Sequence, residues 1–548
     1  MTSDTNAEPR ATRRDWIGLG VLAAGLSMIV VDGTIVGVAL PVIIDDLDMD
    51  LTDAQWVNSI YSVVFAALLL TAGRLGDRLG RRTMFIFGVL VFLLGSVLAA
   101  LAGSATALIA ARLVQGIGGA FVLPTTLSSV NATFRGKDRV VAFAVWGAVI
   151  SGMAAVGPLL GGWLTTYFTW PWIFVVNIPI GVAVLIGALL AVRNTKATIT
   201  VPGLDVDGLL LSAIGFGSVI FALIEGQSLG WWKPIAEFTV FGFTWPADAP
   251  VSVVPVAGAI GVVALVLFVV WERHRAVGSH RSAILDLTLF KVPTFTLGNI
   301  TALAVAIGEF GLLLVLPLFL VNALGLTTMG AGLVLAAMAL GAFGSGAAAR
   351  HLAAALGATR VVILGLALEV VGVAVVAVFV SSTVSPWLLA VLLAVYGAGL
   401  GLASAQLTGT VLADIPTEKS GEGSATQSTV RQLGSALGSA ILGAVLSVSL
   451  AHTLTNQLEP VQGVPPQAQE QLVTATRDSA GGTISGLREQ GDTGTLGPAG
   501  PEVTTALSEG FGDATRISLF AAAGFLALGL VSATALHLRA RRDEDVVV

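Results

Sequence analysis

The sequence predicts an all-α integral membrane protein, and three observations lead there. Hydrophobic residues fill 55% of the 548 positions and charged residues only 11%, a balance that a water-soluble domain holds only by exposing a large apolar surface. Apolar runs of roughly 20 residues, the length that carries a helix across about 30 Å of hydrocarbon, recur along the chain. Lysine and arginine gather in alternate connections between those runs, as in a multi-pass chain whose positive loops stay inside. Beside that distribution the formal net charge of −6 says little.

The first predicted span, 16–41, follows Arg13-Arg14, a pair that also opens export signals. Here the run is too long, carries Asp32 and lacks a small-residue cleavage site, so it reads as a helix. Spans at 54–73, 83–103, 106–129, 139–167 and 171–192 complete a block of six. Two more follow at 207–228 and 250–271, then six at 294–322, 327–349, 359–380, 386–411, 422–451 and 515–538. Fourteen spans thus divide as six, two and six. The predicted organisation is a tail over 1–15, a bundle over 16–192, an inserted pair within 193–291, a second bundle over 292–538 and a tail over 539–548. Residues 452–515, rich in Gly, Pro, Gln, Ser and Thr, read as a partly ordered external loop, either a tolerated insertion or an access element.

With the amino terminus inside, the cytoplasmic connections hold Arg74, Arg78, Arg81, Arg82, Arg135, Lys137, Arg139, Arg193, Lys196 and Arg281. Outside fall Lys233 and three arginines of the long loop or its exit, Arg477, Arg488 and Arg516. The first external connection has Asp45, Asp46, Asp48, Asp50 and Asp53 with no basic residue. Both termini are therefore expected in the cytoplasm.

Several chemistries are excluded early. Without cysteine there is no disulfide, thiol nucleophile or thiolate metal site. His274, His280, His351, His452 and His537 lie in loops or at helix ends, unpaired at metal-ligand spacing, so no metal is expected. No phosphate-cradling G-x-x-x-x-G-K-[ST] occurs; Gly136-Lys137-Asp138 fails at its last position. A nucleotide-driven pump and an enzyme are thereby disfavoured, no cofactor or nucleic acid is expected, and an ion gradient is left to supply the energy.

Ionisable side chains at a helix centre cost about 2.5–3.5 kcal/mol on insertion scales, so each is a functional candidate. Asp32, Arg112, Glu225, Glu309 and Glu369 are the candidates. Helix rise puts Asp32 and Arg112 at matching depths, about 9–14 Å below the outer surface, where they can meet. Protonating the carboxylate of such a pair would free the arginine, a coupling device; a permanent pair would only fix packing, and spacing alone leaves both open. Glu369 falls on a peripheral helix and Glu225 near the outer end of an inserted one. Phe65, Phe121, Trp146 and Phe310 either line a pocket or pack between helices.

After the second span comes Gly73-Arg74-Leu75-Gly76-Asp77-Arg78-Leu79-Gly80-Arg81-Arg82. Its glycines allow a tight turn and close helix approach, and an acid among four arginines suggests a charge latch to neighbouring helix ends. The segment resembles the signature loop of the major facilitator superfamily, in its drug:proton antiporter branches. Asp32-Gly33-Thr34-Ile35-Val36-Gly37-Val38-Ala39-Leu40-Pro41 resembles the first-helix motif of the fourteen-helix drug:proton antiporter-2 family, with Gly37 in place of the usual Asn. Arg112-Leu113-Val114-Gln115-Gly116-Ile117-Gly118-Gly119 is similar to the family's fourth-helix motif, whose buried arginine is associated with proton coupling. Gly157-Pro158-Leu159-Leu160-Gly161-Gly162 is similar to its antiporter motif, although Met153 stands where a further glycine is usual. Trp170–Pro179 and Arg431–Gly438 also look family-like, and Tyr396-Gly397-Ala398-Gly399-Leu400-Gly401 echoes Gln115–Gly119 in the second block.

The resemblance covers nearly the whole chain. It implies the major facilitator fold, two six-helix pseudo-repeats with two inserted helices. It implies proton-coupled efflux of cationic or amphipathic drugs or toxic metabolites by a monomer in the cell's inner (plasma) membrane. Asp32, Arg112 and Glu309 would carry proton coupling; Asp32, Glu309 and Gln115 would face the substrate cavity. Gly73, Asp77, Arg78, Gly80, Arg81 and Arg82 would form the latch, and Gly157, Pro158, Gly161 and Gly162 the antiporter motif. An importer, a dedicated exporter of one metabolite or lipid and a non-transporting sensor are the rival readings, and the antiporter motif weighs against import.

Overall fold

A computed structural model describes residues 11–196, 205–240, 242–275, 285–416, 419–494 and 496–547. The first block comprises α1 (Arg13–Asp46), α2 (Leu51–Leu79), α3 (Arg81–Ala100), α4 (Ala105–Thr133) and α5 (Gly136–Tyr167), then the single turn α6 (Trp172–Val175) and α7 (Asn177–Ala191). The inserted pair is α8 (Val206–Glu225) and α9 (Val253–His274), joined through a hairpin of β1 (Phe238–Val240) and β2 (Phe243–Trp245). The second block comprises α10 (Pro293–Leu318), α11 (Thr328–Leu356), α12 (Ala358–Phe379), α13 (Pro386–Val411) and α14 (Ser420–Leu458). It continues through α15 (Pro466–Asp478) and α16 (Gly482–Gln490) into α17 (Gly500–Val547). Among the described residues thirteen segments are long and apolar enough to cross a membrane. The remaining predicted span, 139–167, coincides with α5, where the side chains of Lys137, Arg139 and Trp146 lie outside the described residues, as do Arg281 and His280.

Local chemistry sets the helix ends. Thr12 with Asp15 and Asp50 with Asp53 form reciprocal capping boxes that open α1 and α2. Hydroxyls of Ser104, Ser252 and Thr327 accept free backbone N–H groups at the starts of α4, α9 and α11. Gly80 and Gly357, at φ +113° and +88°, turn α2 into α3 and α11 into α12 within one residue, a backbone region that disfavours any side chain.

The two blocks repeat one packing plan. α3 lies on α4 as α12 lies on α13, α2 on α4 as α11 on α13, and α1 on α5 and α7 as α10 on α14 and α17. The blocks meet along α2–α14 and α5–α11. α8 touches both α2 and α14, so the insert lies along that seam, with Val63, Ile220, Ile224, Ala436 and Ala440 buried between them. In its most apolar stretch α9 is only 22% buried, against 78% for α14. Its exposed Val262, Val266 and Val270 suit hydrocarbon as solvent.

The segment 452–515 departs from the expected partly ordered loop. α14 continues to Leu458, α15 and α16 follow, and α17 begins at Gly500, lengthening the predicted span 515–538 at both ends. The polar composition conceals a spaced apolar set, Ala480, Ile484, Leu487, Val503, Leu507 and Phe511, all buried in the main core. Two of the arginines expected as external charges are helix caps. Arg488 donates to the carbonyls of Asn322 and Ala323 in the wide helical turn Phe319–Ala323 that continues α10, and Arg516 to those of Ala377 and Val380 at the end of α12.

Candidate functional site

α1 and α4 bring Asp32 and Arg112 together. Arg112 Nη1 donates to Asp32 Oδ2 at 2.5 Å, and the two side chains are 2% and 0% exposed. Asp32 Oδ1 accepts from Gln115 Nε2 at 3.0 Å and from Asn177 Nδ2 at 2.9 Å. Ser96 Oγ accepts from the same two amides, at 2.9 and 3.3 Å. Arg112 also donates to Gln115 Oε1 at 2.8 Å and to the Val57 carbonyl at 3.3 Å, and its guanidinium lies 4.3 Å from the Tyr61 ring centre. One buried charge centre thus ties α1, α2, α3, α4 and α7. Three donors converge on a carboxylate and satisfy it only while it is ionised.

Asn177 and Ser96 do not stand out in the sequence. Neutral side chains carry no insertion penalty large enough to mark them, although Asn177 belongs to the family-like segment after Trp170.

In the second block Arg431 Nη2 donates to Glu309 Oε2 at 3.2 Å and Oε1 at 3.4 Å, joining α14 to α10. Glu309 is buried, but the Arg431 side chain is 42% exposed although it sits well inside α14. The pair lines a narrow pocket with Ser404, Thr408 and Gln427, in which Gln427 donates to Thr408 Oγ1 at 3.0 Å. Arg431 is missing from the candidate charges named from sequence, although it too is a charge inside a predicted span, 422–451.

The remaining candidates separate. Glu225 accepts from Trp56 Nε1 at 2.8 Å and from Ser228 Oγ at 2.5 Å, which fastens the insert to α2. Glu369 lies on a helix whose Leu364, Val371 and Val378 are exposed, but its own side chain is completely buried at the α12–α13 contact. Phe65 packs on Tyr61 with ring centres 5.7 Å apart, and Phe121 meets Phe87 edge-on at 5.0 Å, so both are packing residues.

In the loop after α2, Arg81 grips Asp77 with Nε at 3.0 Å and Nη2 at 2.8 Å. Arg82 reaches the Val192 carbonyl at 3.5 Å, and Arg81 N donates to the Thr195 carbonyl at 3.0 Å, so the loop is pinned to the end of α7. Arg78 is also engaged, and Arg74 lies within electrostatic reach of Glu422 on α14 and of Asp205 and Glu272 in the insert. Gly76 passes so close to Thr125 that a β-carbon would sit 3.0 Å from its methyl, whereas Gly73 faces Pro124 at an ordinary 3.5 Å.

The glycines of 157–162 form two seams. A β-carbon at Gly157 would overlap Thr34 Oγ1, and one at Gly161 would lie 2.9 Å from the Ile35 carbonyl, so both face α1. Gly162 faces Thr328 at 2.9 Å, and the Pro158 carbonyl faces Gly332 at 2.7 Å, across the junction of the blocks. Gly434 and Gly438 press α14 onto Ala306 and Ile307 of α10 in the same way. Gly37, where the family motif usually has Asn, lies against α10: a β-carbon there would sit 3.3 Å from the Leu313 carbonyl oxygen.

The sequence profile described as Major Facilitator Superfamily matches residues 22–439. The chain is 32% identical over 441 residues to a protein of Streptomyces coelicolor described as a probable actinorhodin transporter, covering 78% of this chain and 72% of that one. It is 32% identical to the methylenomycin A resistance protein of Bacillus subtilis, over 76% of this chain and 84% of that one. With the multidrug efflux pump LfrA of Mycolicibacterium smegmatis it shares 30% identity, over 79% and 82%. Its backbone matches a bacterial homologue of the human lysosomal transporter Spinster with a TM-score of 0.60, over 95% and 96% of the two chains; at 16% identity this speaks for the fold alone.

Proposed function

The chain belongs to the Major Facilitator Superfamily, and from that premise we propose that this membrane transporter is a proton-coupled antiporter exporting cationic or amphipathic drugs or toxic metabolites by alternating access. The observation that carries the proposal is the Asp32 centre, a carboxylate enclosed by Arg112, Gln115 and Asn177 with both of its oxygens accepting. A proton on either oxygen places hydrogen against hydrogen at one of those contacts. It also cancels the charge that holds Arg112, leaving the guanidinium to Gln115 Oε1 on α4 and to the Val57 carbonyl and Tyr61 on α2. Proton binding then changes how α1 is attached to α2 and α4.

Glu309 and Arg431 supply the counterpart in the second block, where the half-exposed arginine meets polar lining residues. An entering cation competes with Arg431 for Glu309, which couples substrate charge to helix attachment. The energy suffices: moving one charge through 100 mV yields about 2.3 kcal/mol, and each pH unit adds about 1.36 kcal/mol. In this reading the protein works as a monomer in the inner membrane with both termini cytoplasmic.

A second reading is a dedicated exporter of one metabolite. It is favoured by relatives named for single compounds, actinorhodin and methylenomycin A.

Proteoliposomes loaded with a pH-sensitive dye test the main reading. Under an imposed proton gradient, ethidium should evoke proton flux in the wild type and not in Asp32→Asn. Absence of substrate-dependent flux across a broad set of lipophilic cations would dismiss multidrug export in favour of the dedicated exporter.

A further inference from the structure

Glu369 lies midway along α12, 0% exposed, and neither carboxyl oxygen has a hydrogen-bond partner among the described residues. Tyr396 on α13 is also 0% exposed, and its hydroxyl is likewise unbonded. The helices touch here: a β-carbon at Gly399 would lie 2.7 Å from the Glu369 nitrogen, and one at Gly372 would lie 2.9 Å from the Tyr396 Cα.

The first block contains the same joint. Gly118 abuts the Phe92 nitrogen and Gly95 abuts Gln115. Glu369 therefore occupies the position that Phe92 fills in the other half, and Tyr396 the position of Gln115. Phenylalanine meets the packing demand of this joint, so packing alone gives no reason for an acid.

Charge counting supplies one. The charges that act on Glu369 are Glu309 on α10 and Arg431 on α14. α13 brings only Tyr396, α11 carries Arg350 and His351 at its far end, and Arg360 stands nine residues back on α12 itself. On α17, Arg516 pairs with Asp513 at the opposite end of α12. Arg431 is bonded to Glu309, and among the described residues no hydrogen bond or ion pair reaches Glu369. An ionised carboxylate with no hydrogen bond in an apolar interior is too costly to persist, so Glu369 carries a proton. The first block has one carboxyl and one arginine and needs none.

We propose that Glu369 is a second proton-binding carboxyl of the carboxy-terminal half, which holds its proton because no bonded partner compensates its charge. In the cycle the Glu369 proton is released to one side of the membrane and regained from the other, the carboxylate existing only in between. The consequence for transport rests on the antiport reading above: Glu369 adds one proton to the cycle.

The test combines infrared spectroscopy and transport on the full-length protein in lipid. At neutral pH the wild type should show the carbonyl stretch of a protonated carboxyl, lost in Glu369→Gln and kept in Asp32→Asn. The proton:ethidium ratio, from reversal of transport against imposed voltage and pH, should fall by one in Glu369→Gln. Should that variant fail to fold, Glu369→Phe, which copies the Phe92 joint, replaces it. A band unchanged in either variant, or a ratio unchanged after substitution, overturns the proposal. A wild type that moves no protons with substrate would defeat the antiport reading, while the band, recorded without substrate, still decides whether Glu369 holds a proton.

Discussion

Breaking the Asp32–Arg112 pair from one side should be nearly as damaging as removing it altogether. Arg112→Leu takes away the 2.5 Å donor to Asp32 and leaves the carboxylate with Gln115 and Asn177. With both partners nearly unexposed, the loss falls in the range for buried pairs broken singly, about 3–5 kcal/mol. Asp32→Asn should sit at the lower end, about 3 kcal/mol, because Arg112 keeps the Gln115 oxygen at 2.8 Å and the Val57 carbonyl at 3.3 Å. The double variant buries no lone charge, so its cost should fall short of the sum by about 2–3 kcal/mol. Reversible denaturant unfolding in mixed micelles, followed by tryptophan fluorescence, measures all three. Single costs that add to within about 0.5 kcal/mol would mean the pair is not the interaction that holds these helices, and the argument from Asp32 would fail.

Other expectations follow from the same geometry. Gly157→Ala should cost about 1–3 kcal/mol by overpacking, because its β-carbon overlaps Thr34 Oγ1; adding Thr34→Ala should restore most of the melting temperature. Glu309→Gln should alter stability by no more than about 1 kcal/mol, since Arg431 is half-exposed, yet abolish proton-driven ethidium accumulation in vesicles. Partial burial alone would push the Asp286 carboxyl up, but the Lys419 ammonium at 2.7 Å and Thr288 outweigh it and hold it below its ordinary value. A depressed carboxyl stabilises the fold above its unfolded value and loses that contribution as pH falls through the folded one. The stability gap between wild type and Lys419→Met should therefore be present above about pH 4, be no larger than about 1 kcal/mol, and close in more acid solution; a gap that persists there would contradict the assignment.

Most of the helix plan was legible because apolar run length is set by the bilayer and leaves a plain mark on the sequence. The meeting of Asp32 with Arg112 was legible too, since helix rise converts sequence spacing into depth. Segment 452–515 was not, because its buried Ile484, Leu507 and Phe511 are diluted among polar residues, and only their docking onto the bundle makes them core. Asn177 and Ser96 are hidden for a different reason: an uncharged polar side chain looks the same whether it bonds its own helix or joins a charge centre across the bundle. The sequence puts Glu369 on a peripheral helix without showing which face of α12 it occupies, and the glycine joint with α13 fixes that face.

The most direct test of the account separates coupling from movement. Proteoliposomes preloaded with unlabelled ethidium should exchange it for labelled ethidium without any gradient, and should accumulate it when a proton gradient is imposed. If Asp32 carries the coupling proton, Asp32→Asn keeps exchange and loses accumulation. If Asp32→Asn accumulates ethidium as the wild type does, the buried pair is a packing element and the proposed mechanism is wrong.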